Sequence, residues 1–155
     1  MSRSSKPIKK ILETDTVYKS KVVTRLITRM MLGGKKSLAQ EIAYTAIAGL
    51  SEDKKEALAK FEEAIKNLMP AQEVRSRRVG GATYQVPAPL RHDRSEALAI
   101  RWLVEISRNK KGKPMAQRLL DEIQLAFKKE GAAFKKKEDT IRMAEANKAF
   151  AHFKW

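Results

Sequence analysis

Apolar side chains recur at three- and four-residue intervals along most of this chain, and that spacing constrains the fold more than any other feature. A first helical stripe stops at Gly33 and Gly34. Ser37 followed by Gln40 forms a capping-box pattern that opens a second helix, and Pro70 marks the end of a third. The spacing therefore predicts three helices with a shared core before residue 71.

Three more helices are predicted in the second half of the chain. Asp93 and Glu96 form another capping-box-like start, and the helix after them is apolar nearly all round, which favours a place at the centre of the fold. A fifth helix carries one apolar stripe, with Gly131 as its expected C-cap. A sixth follows the basic triplet at 135–137, and its thin apolar set predicts partial burial.

Residues 73–88 interrupt the helical pattern and predict two strands joined by a glycine turn at 80–81. The expected cross-strand pairs are Val79/Ala82, Arg78/Thr83, Arg77/Tyr84 and Arg75/Val86. Neither side of this hairpin forms an apolar face, and an isolated two-stranded hairpin is marginal in water. We therefore expect it to lie on a partner or to project towards one, with an ordinary surface hairpin as the alternative.

The length of 155 residues suits one compact domain and is too short for two ordinary ones. We predict a mainly α fold: a single-domain bundle of about six helices over residues 1–155, with a protruding two-stranded β-hairpin between helices three and four. A domain of this size buries roughly 70% of the surface that its unfolded chain exposes, so no disulfide or metal is needed for its core. The absence of cysteine agrees, and it excludes a thiolate nucleophile or a cysteine-type zinc site.

The charge is large and unevenly distributed. Lys and Arg number 33 against 18 Asp and Glu, for a formal net charge of +15. Residues 1–36 hold ten basic and two acidic side chains, a balance of +8, whereas residues 37–70 hold four and six, a balance of −2. Such a localised excess indicates a polyanionic partner, either nucleic acid or an anionic membrane surface, with a merely solubilising surface as the alternative.

No constellation of residues indicates an active site. Gly34 and the residues after it lack the spacing and the preceding strand of a Walker A loop, although glycines and lysines before a helix N-terminus suit a phosphate. The two histidines, His92 and His152, have no suggestive acid or metal spacing. The adjacent acids at 62–63 and 121–122 are expected on solvated helix faces. We therefore predict neither an enzyme nor a cofactor nor a metal site.

Four blocks closely resemble the bacterial and organellar form of small-subunit ribosomal protein seven. They are EVRSRRVGGATYQVP at 73–87, GKKSLA at 34–39, ALAIRW at 97–102 and RMAEANKAFAH at 142–152. The resemblance covers essentially the whole chain, and its first and last blocks are very specific. It implies a helical fold with a protruding hairpin. It also implies that the protein binds the 3′ major domain of small-subunit ribosomal RNA, nucleates head assembly, and contacts exit-site tRNA and the mRNA exit path.

Charge and resemblance together predict two sets of contact residues. The expected rRNA-binding residues are Arg3, Lys6, Lys9, Lys10, Arg25, Lys35, Lys36, Arg75, Arg77, Arg78, Arg91, Arg94, Lys113, Lys135, Lys136 and Lys137. The expected tRNA- and mRNA-proximal residues are Arg78, Val79, Gly80, Gly81, Ala82, Tyr84, Arg142, Lys148 and His152. The first four rRNA-binding residues belong to a basic N-terminal arm, residues 1–12.

The resemblance also implies neighbouring head and platform proteins as partners, no membrane, and a place in the bacterial cytoplasm, with an organellar stroma or matrix as the alternative. The chain departs from the family pattern at Gly33, at His92 and Asp93, and in an arm with fewer arginines. An architectural DNA-binding protein and an RNA-modifying enzyme are the competing functions. The first would bind duplex DNA tightly, and the second should contain a catalytic cluster.

Overall fold

The computed structural model describes residues 13–153, within which six α-helices surround a core and one hairpin extends from it. The helices are α1 (Lys21–Met30), α2 (Lys36–Ala48), α3 (Lys54–Leu68), α4 (His92–Asn109), α5 (Met115–Phe127) and α6 (Gly131–Ala146), followed by a short 3-10 helix, Lys148–Phe153. The strands β1 (Gln72–Val79) and β2 (Ala82–Pro89) lie between α3 and α4. The predicted fold class is confirmed.

The core forms where the apolar stripes of the helices meet. α4 packs against α1, α3, α5 and α6, and α5 also packs against α2, α3 and α6. Leu103 of α4, Phe61 of α3 and Ile123 of α5 are fully buried. The prediction that the fourth helix lies at the centre is therefore confirmed, because its side chains are covered on several sides at once.

Asp15 fastens the chain ahead of α1 to α2. Its carboxylate accepts hydrogen bonds from the backbone N–H groups of Val17 and Tyr18, both at 3.0 Å, and from the Tyr44 hydroxyl at 2.6 Å. Burial, and then the hydrogen bond to Asp15, raises the pKa of Tyr44. The segment next to the N-terminal arm thus has a fixed position on the helical body.

Two of the predicted helix starts differ from the capping patterns in the sequence. α2 begins at Lys36, one residue before the expected cap, because Gly33 and Gly34 take positive φ and the Lys36 N–H donates to the Gly34 carbonyl at 2.8 Å. α4 begins at His92, and no side chain between residues 13 and 153 caps it. The Glu96 carboxylate, expected to return to the helix start, instead lies in the interior against Arg25 of α1.

The expected C-cap at Gly131 is also wrong. α5 ends in a Schellman arrangement in which Lys129, with φ of 61°, takes the left-handed position: its N–H donates to Ala126 O and the Glu130 N–H donates to Leu125 O. Gly131 is the first residue of α6, and a Cβ there would lie 2.9 Å from Leu125 Cβ. α6 consequently contains the lysine triplet 135–137 instead of following it.

The adjacent acids were expected on solvated faces, and this is wrong for Glu122, which is fully buried. Its Oε1 accepts from the Ala133 N–H of α6 at 2.9 Å, and its Oε2 forms an ion pair with Lys110 from the loop before α5. Charge compensation from one side and a helix N–H from the other make this burial tolerable.

Candidate nucleic-acid interface

The hairpin has the predicted register and ends in the predicted turn. β1 and β2 pair antiparallel, with Arg77 opposite Tyr84 and Arg75 opposite Val86. Gly80 and Gly81 have φ of 57° and 91°, as a tight two-residue turn requires. The strands run one residue further at each end than expected, over 72–79 and 82–89.

Part of the base of the hairpin is buried, which the sequence did not indicate. Val86 is 2% exposed and Pro87 is also buried, and the hairpin packs against α6 and the C-terminal 3-10 helix. The Tyr84 and Phe150 rings lie 5.2 Å apart in a tilted arrangement. The expectation that the hairpin has little to bury is therefore wrong for its base, whereas Arg78 near its tip is exposed.

Glu73 organises the arginines at the base of the hairpin. This carboxylate is buried, and its Oε1 accepts hydrogen bonds from Arg75 Nε at 2.7 Å and from Arg75 Nη2 at 2.6 Å. Its Oε2 accepts a hydrogen bond from Arg94 Nη2 of α4 at 3.3 Å. One acid thus holds two of the predicted rRNA-binding arginines, from separate elements, in fixed positions.

A cleft of about 430 Å³ lies beside these groups. It is lined by Arg75, Arg77, Val86, Ala88, Pro89, Leu90 and Arg91. The structure therefore brings together three predicted rRNA-binding arginines, two from β1 and one from the residue that precedes α4. We name this space the hairpin-base cleft.

A second basic groove lies between α1 and α4. It is lined by Arg25, Thr28, Arg29, Ala97, Ile100 and Arg101. The Arg25 guanidinium contacts Glu96 at 2.6 Å and Asp93 at 3.4 Å. Desolvation lowers the pKa of Arg25, but hydrogen bonding and attraction by these two acids outweigh it, so the pKa is raised.

Two side chains of this groove, Arg29 and Arg101, were missed among the predicted contact residues. Both are exposed. Arg29 follows Arg25 by four residues on a helical ridge, a spacing that was visible in the sequence. Arg101 sits within a largely apolar helix, and only the packing of α1 on α4 places it beside the other two.

The predicted lysines are distributed over separate places. Lys35 and Lys36 are exposed in the turn that opens α2. Lys113 forms an ion pair with Asp121 at 2.7 Å. Arg3, Lys6, Lys9 and Lys10 of the N-terminal arm lie outside the described residues.

The lysine triplet of α6 does not act as one basic patch, because consecutive helical residues point about 100° apart. Lys136 forms an ion pair with Glu105 of α4 at 3.1 Å. Lys137 donates to the Asn67 carbonyl at 2.6 Å and lies 5.1 Å from the centre of the Phe134 ring. Desolvation, followed by repulsion from Lys129, lowers the pKa of Lys137.

Among the residues predicted to face tRNA and mRNA, Tyr84 lies where the hairpin contacts the C-terminal 3-10 helix. Tyr84 reaches the 3-10 helix, which contains Lys148 and His152, and the His152 Nδ1 lies 2.9 Å from the Ala149 carbonyl oxygen. Arg142 is exposed on α6 and contacts Asp139 at 3.5 Å. Ala82 and the glycines of the turn are exposed at the tip.

Between residues 13 and 153, no group of three or more His, Cys, Asp or Glu side chains is arranged to hold a metal ion. Over the same part of the chain, no helix has the length and apolarity needed to cross a membrane.

Comparison with known proteins identifies the family. The family described as "Ribosomal protein S7p/S5e" matches residues 2–148. The small ribosomal subunit proteins uS7 of a Nitratiruptor species and of Borreliella burgdorferi are 53% and 50% identical to this chain, each over 100% of both chains. That of Pelagibacter ubique is 49% identical, again over 100% of both. These relatives match the chain along its full length, and the chain carries an arginine-rich hairpin on a basic helical body. The chain belongs to the uS7 family of small-subunit ribosomal proteins.

Proposed function

We propose that this small-subunit ribosomal component binds the 3′ major domain of the small-subunit rRNA as a single domain and nucleates assembly of the subunit head. Its hairpin and C-terminal end contact exit-site tRNA and the mRNA exit path. Family membership makes it a structural protein of the small subunit, and the family is not an enzyme class. The bacterial relatives favour the bacterial cytoplasm over an organelle as its place of work.

The arginines gathered in two clefts of the fold carry this proposal. The hairpin-base cleft and the groove between α1 and α4 each contain three arginines. Arg25 and Arg94 tie α1, α4 and β1 together through ion pairs with Glu96 and Glu73. Guanidinium groups held by a rigid scaffold suit the phosphates and base edges of a folded RNA.

RNA affinity should depend steeply on salt. With full-length protein and a fragment of the 3′ major domain, affinity should fall by about 10³-fold or more between 50 and 200 mM KCl if six or more phosphates are neutralised. Replacing both Arg29 and Arg101 by Ala should reduce the salt slope by about 1 for each lost contact. Replacing Lys54 and Lys55 on the acidic part of the chain provides the matched control. A nearly flat salt response of the wild-type protein would refute phosphate-dominated rRNA binding.

The function of the hairpin tip is tested separately, because we assign rRNA binding to the helical body and the base of the hairpin. Residues 78–83 are replaced by a short turn, and incorporation of the protein into subunits is quantified before release of deacylated tRNA and frameshifting are measured. We expect full incorporation with altered tRNA release or framing. Normal release and framing would remove the tip from function, whereas failed incorporation would assign it to the assembly anchor.

A further inference from the structure

We propose that the hairpin-base cleft is a binding pocket for one unstacked RNA base, an inference that rests on the proposed rRNA binding and specifies its contact. The pocket lining has an apolar part, which we name the floor, and three arginines, which we name the rim. Val86, at 2% exposure, belongs to the floor together with Ala88, Pro89 and Leu90. Contact with such an apolar floor does not stabilise a bound phosphate, whereas it does stabilise the face of an RNA base.

The arginine rim is pre-organised for stacking. Because the Glu73 carboxylate accepts hydrogen bonds from both Nε and Nη2 of Arg75, the plane of that guanidinium is fixed before any ligand arrives. Unstacked RNA bases stack on arginine planes as well as on aromatic rings. The Arg91 side chain is exposed and makes no hydrogen bond or ion pair with any residue between 13 and 153, so it is available to the sugar or phosphate of the same nucleotide.

Backbone contacts fix the residues of the floor. The Leu90 N–H donates to the Ala71 carbonyl at 3.0 Å, and Gln72 pairs with Pro89 at the end of the ladder. Proline at 87 and 89 restricts the backbone further. The volume of about 430 Å³ lies in the range of pockets for small ligands, about 300–1,000 Å³, and so fits one nucleotide instead of a duplex.

The register of the hairpin explains why an apolar surface for an RNA base and positive charge lie in the same cleft. Arg75, Arg77, Val86 and Ala88 all belong to one face of the ladder, because side chains alternate along each strand. Sequence-specific recognition of RNA concentrates on loops and bulges whose bases are free to leave the stack. The cleft therefore reads an extrahelical nucleotide, while the groove between α1 and α4 is left to backbone phosphates.

The first test fills the cleft without changing charge. Ala88→Leu should lower the affinity of the full-length protein for the 3′ major domain fragment by about 10-fold with an unchanged salt slope, because stacking of one base is lost and phosphate contacts are kept. The matched control is Ala48→Leu, which adds the same atoms to an exposed site at the end of α2. Arg75→Lys is the second variant: it keeps the charge, loses the planar group, and should show the same loss at the same slope.

The second test removes the base. Abasic nucleotides are placed singly at the unpaired positions of the fragment, and one position should reproduce the loss caused by Ala88→Leu, with no further loss when the two changes are combined. Wild-type affinity of both Ala88→Leu and Arg75→Lys, a reduced salt slope for Ala88→Leu, or additive losses at every abasic position would overturn the pocket. Each of these results leaves the proposed rRNA binding intact as long as the wild-type protein keeps a steep salt response, and a flat wild-type response overturns both.

Discussion

Replacement of Lys110 should destabilise the protein more than replacement of its buried partner, Glu122, by glutamine. The Glu122 side chain is fully buried, whereas the Lys110 side chain is 34% exposed. Lys110→Ala leaves a carboxylate in the interior whose one remaining partner among residues 13–153 is the Ala133 N–H. Breaking a buried ion pair in this way costs about 3–5 kcal/mol of unfolding free energy.

Glu122→Gln removes the charge but keeps the volume and the acceptor for the Ala133 N–H. The Lys110 ammonium is close enough to solvent to be hydrated there, so its loss of a partner carries no full burial penalty. We expect a cost of about 1–2 kcal/mol, the range for weakening one charge-assisted hydrogen bond. Glu122→Ala also leaves the Ala133 N–H without its acceptor and opens a cavity, which brings the expected cost to about 3–4 kcal/mol.

Urea unfolding followed by far-UV circular dichroism gives these differences through the linear dependence of unfolding free energy on denaturant. The double variant Lys110→Ala/Glu122→Gln is informative, because with the carboxylate gone the lysine change should cost little more. A Lys110→Ala variant more stable than Glu122→Gln, or additive costs in the double variant, would show that the buried charge is not what makes this contact important.

Three further outcomes are expected. Gly131→Ala should cost at least about 2 kcal/mol, because it combines a φ of 92° with a close approach to Leu125, whereas Gly112→Ala, at a φ of 89° with open space around it, should cost about 1 kcal/mol; equal midpoints in urea would contradict this. The raised pKa of Tyr44 means that the folded state keeps the phenol proton to higher pH than the unfolded chain, so the unfolding free energy falls as pH rises above about 10, and Tyr44→Phe should show a smaller alkaline decline in pH-dependent urea titrations. Trp102→Ala should cost about 3–5 kcal/mol because the indole is 7% exposed, whereas Arg78→Ala should leave the melting temperature nearly unchanged and weaken RNA binding; comparable thermal destabilisation by both would mean that the arginine is packed structure.

Local patterns were sufficient for the number of helices and for the hairpin. The glycines at 80–81 predict the register of β1 and β2, because a two-residue turn leaves only one way to pair the strands. The helical stripes likewise predict their buried faces, since 3.6 residues per turn is a property of the backbone and not of its neighbours.

The helix ends required tertiary information. Glu96 has the spacing of a capping residue, yet Arg25 lies beside it after folding and forms the stronger contact. The left-handed residue after α5 is Lys129 and not the expected glycine, because Gly131 already begins α6. A sequence pattern indicates which neighbours in the chain can contact a side chain. It does not indicate which residues from distant parts of the chain folding brings into contact with it.

For the candidate site, too, some features follow from the sequence and others only from the tertiary structure. By itself, the sequence determined that the chain is a basic, mainly helical protein with an arginine-rich hairpin, because composition and periodicity are properties of the chain alone. Only the tertiary structure decided which charges act together: Arg101 joins a groove from an apolar helix, and Lys137 is drawn into a contact with α3. The hairpin-base cleft exists for the same reason, since the turn into α4 brings Arg91 to the lining that Arg75 and Arg77 of β1 also share.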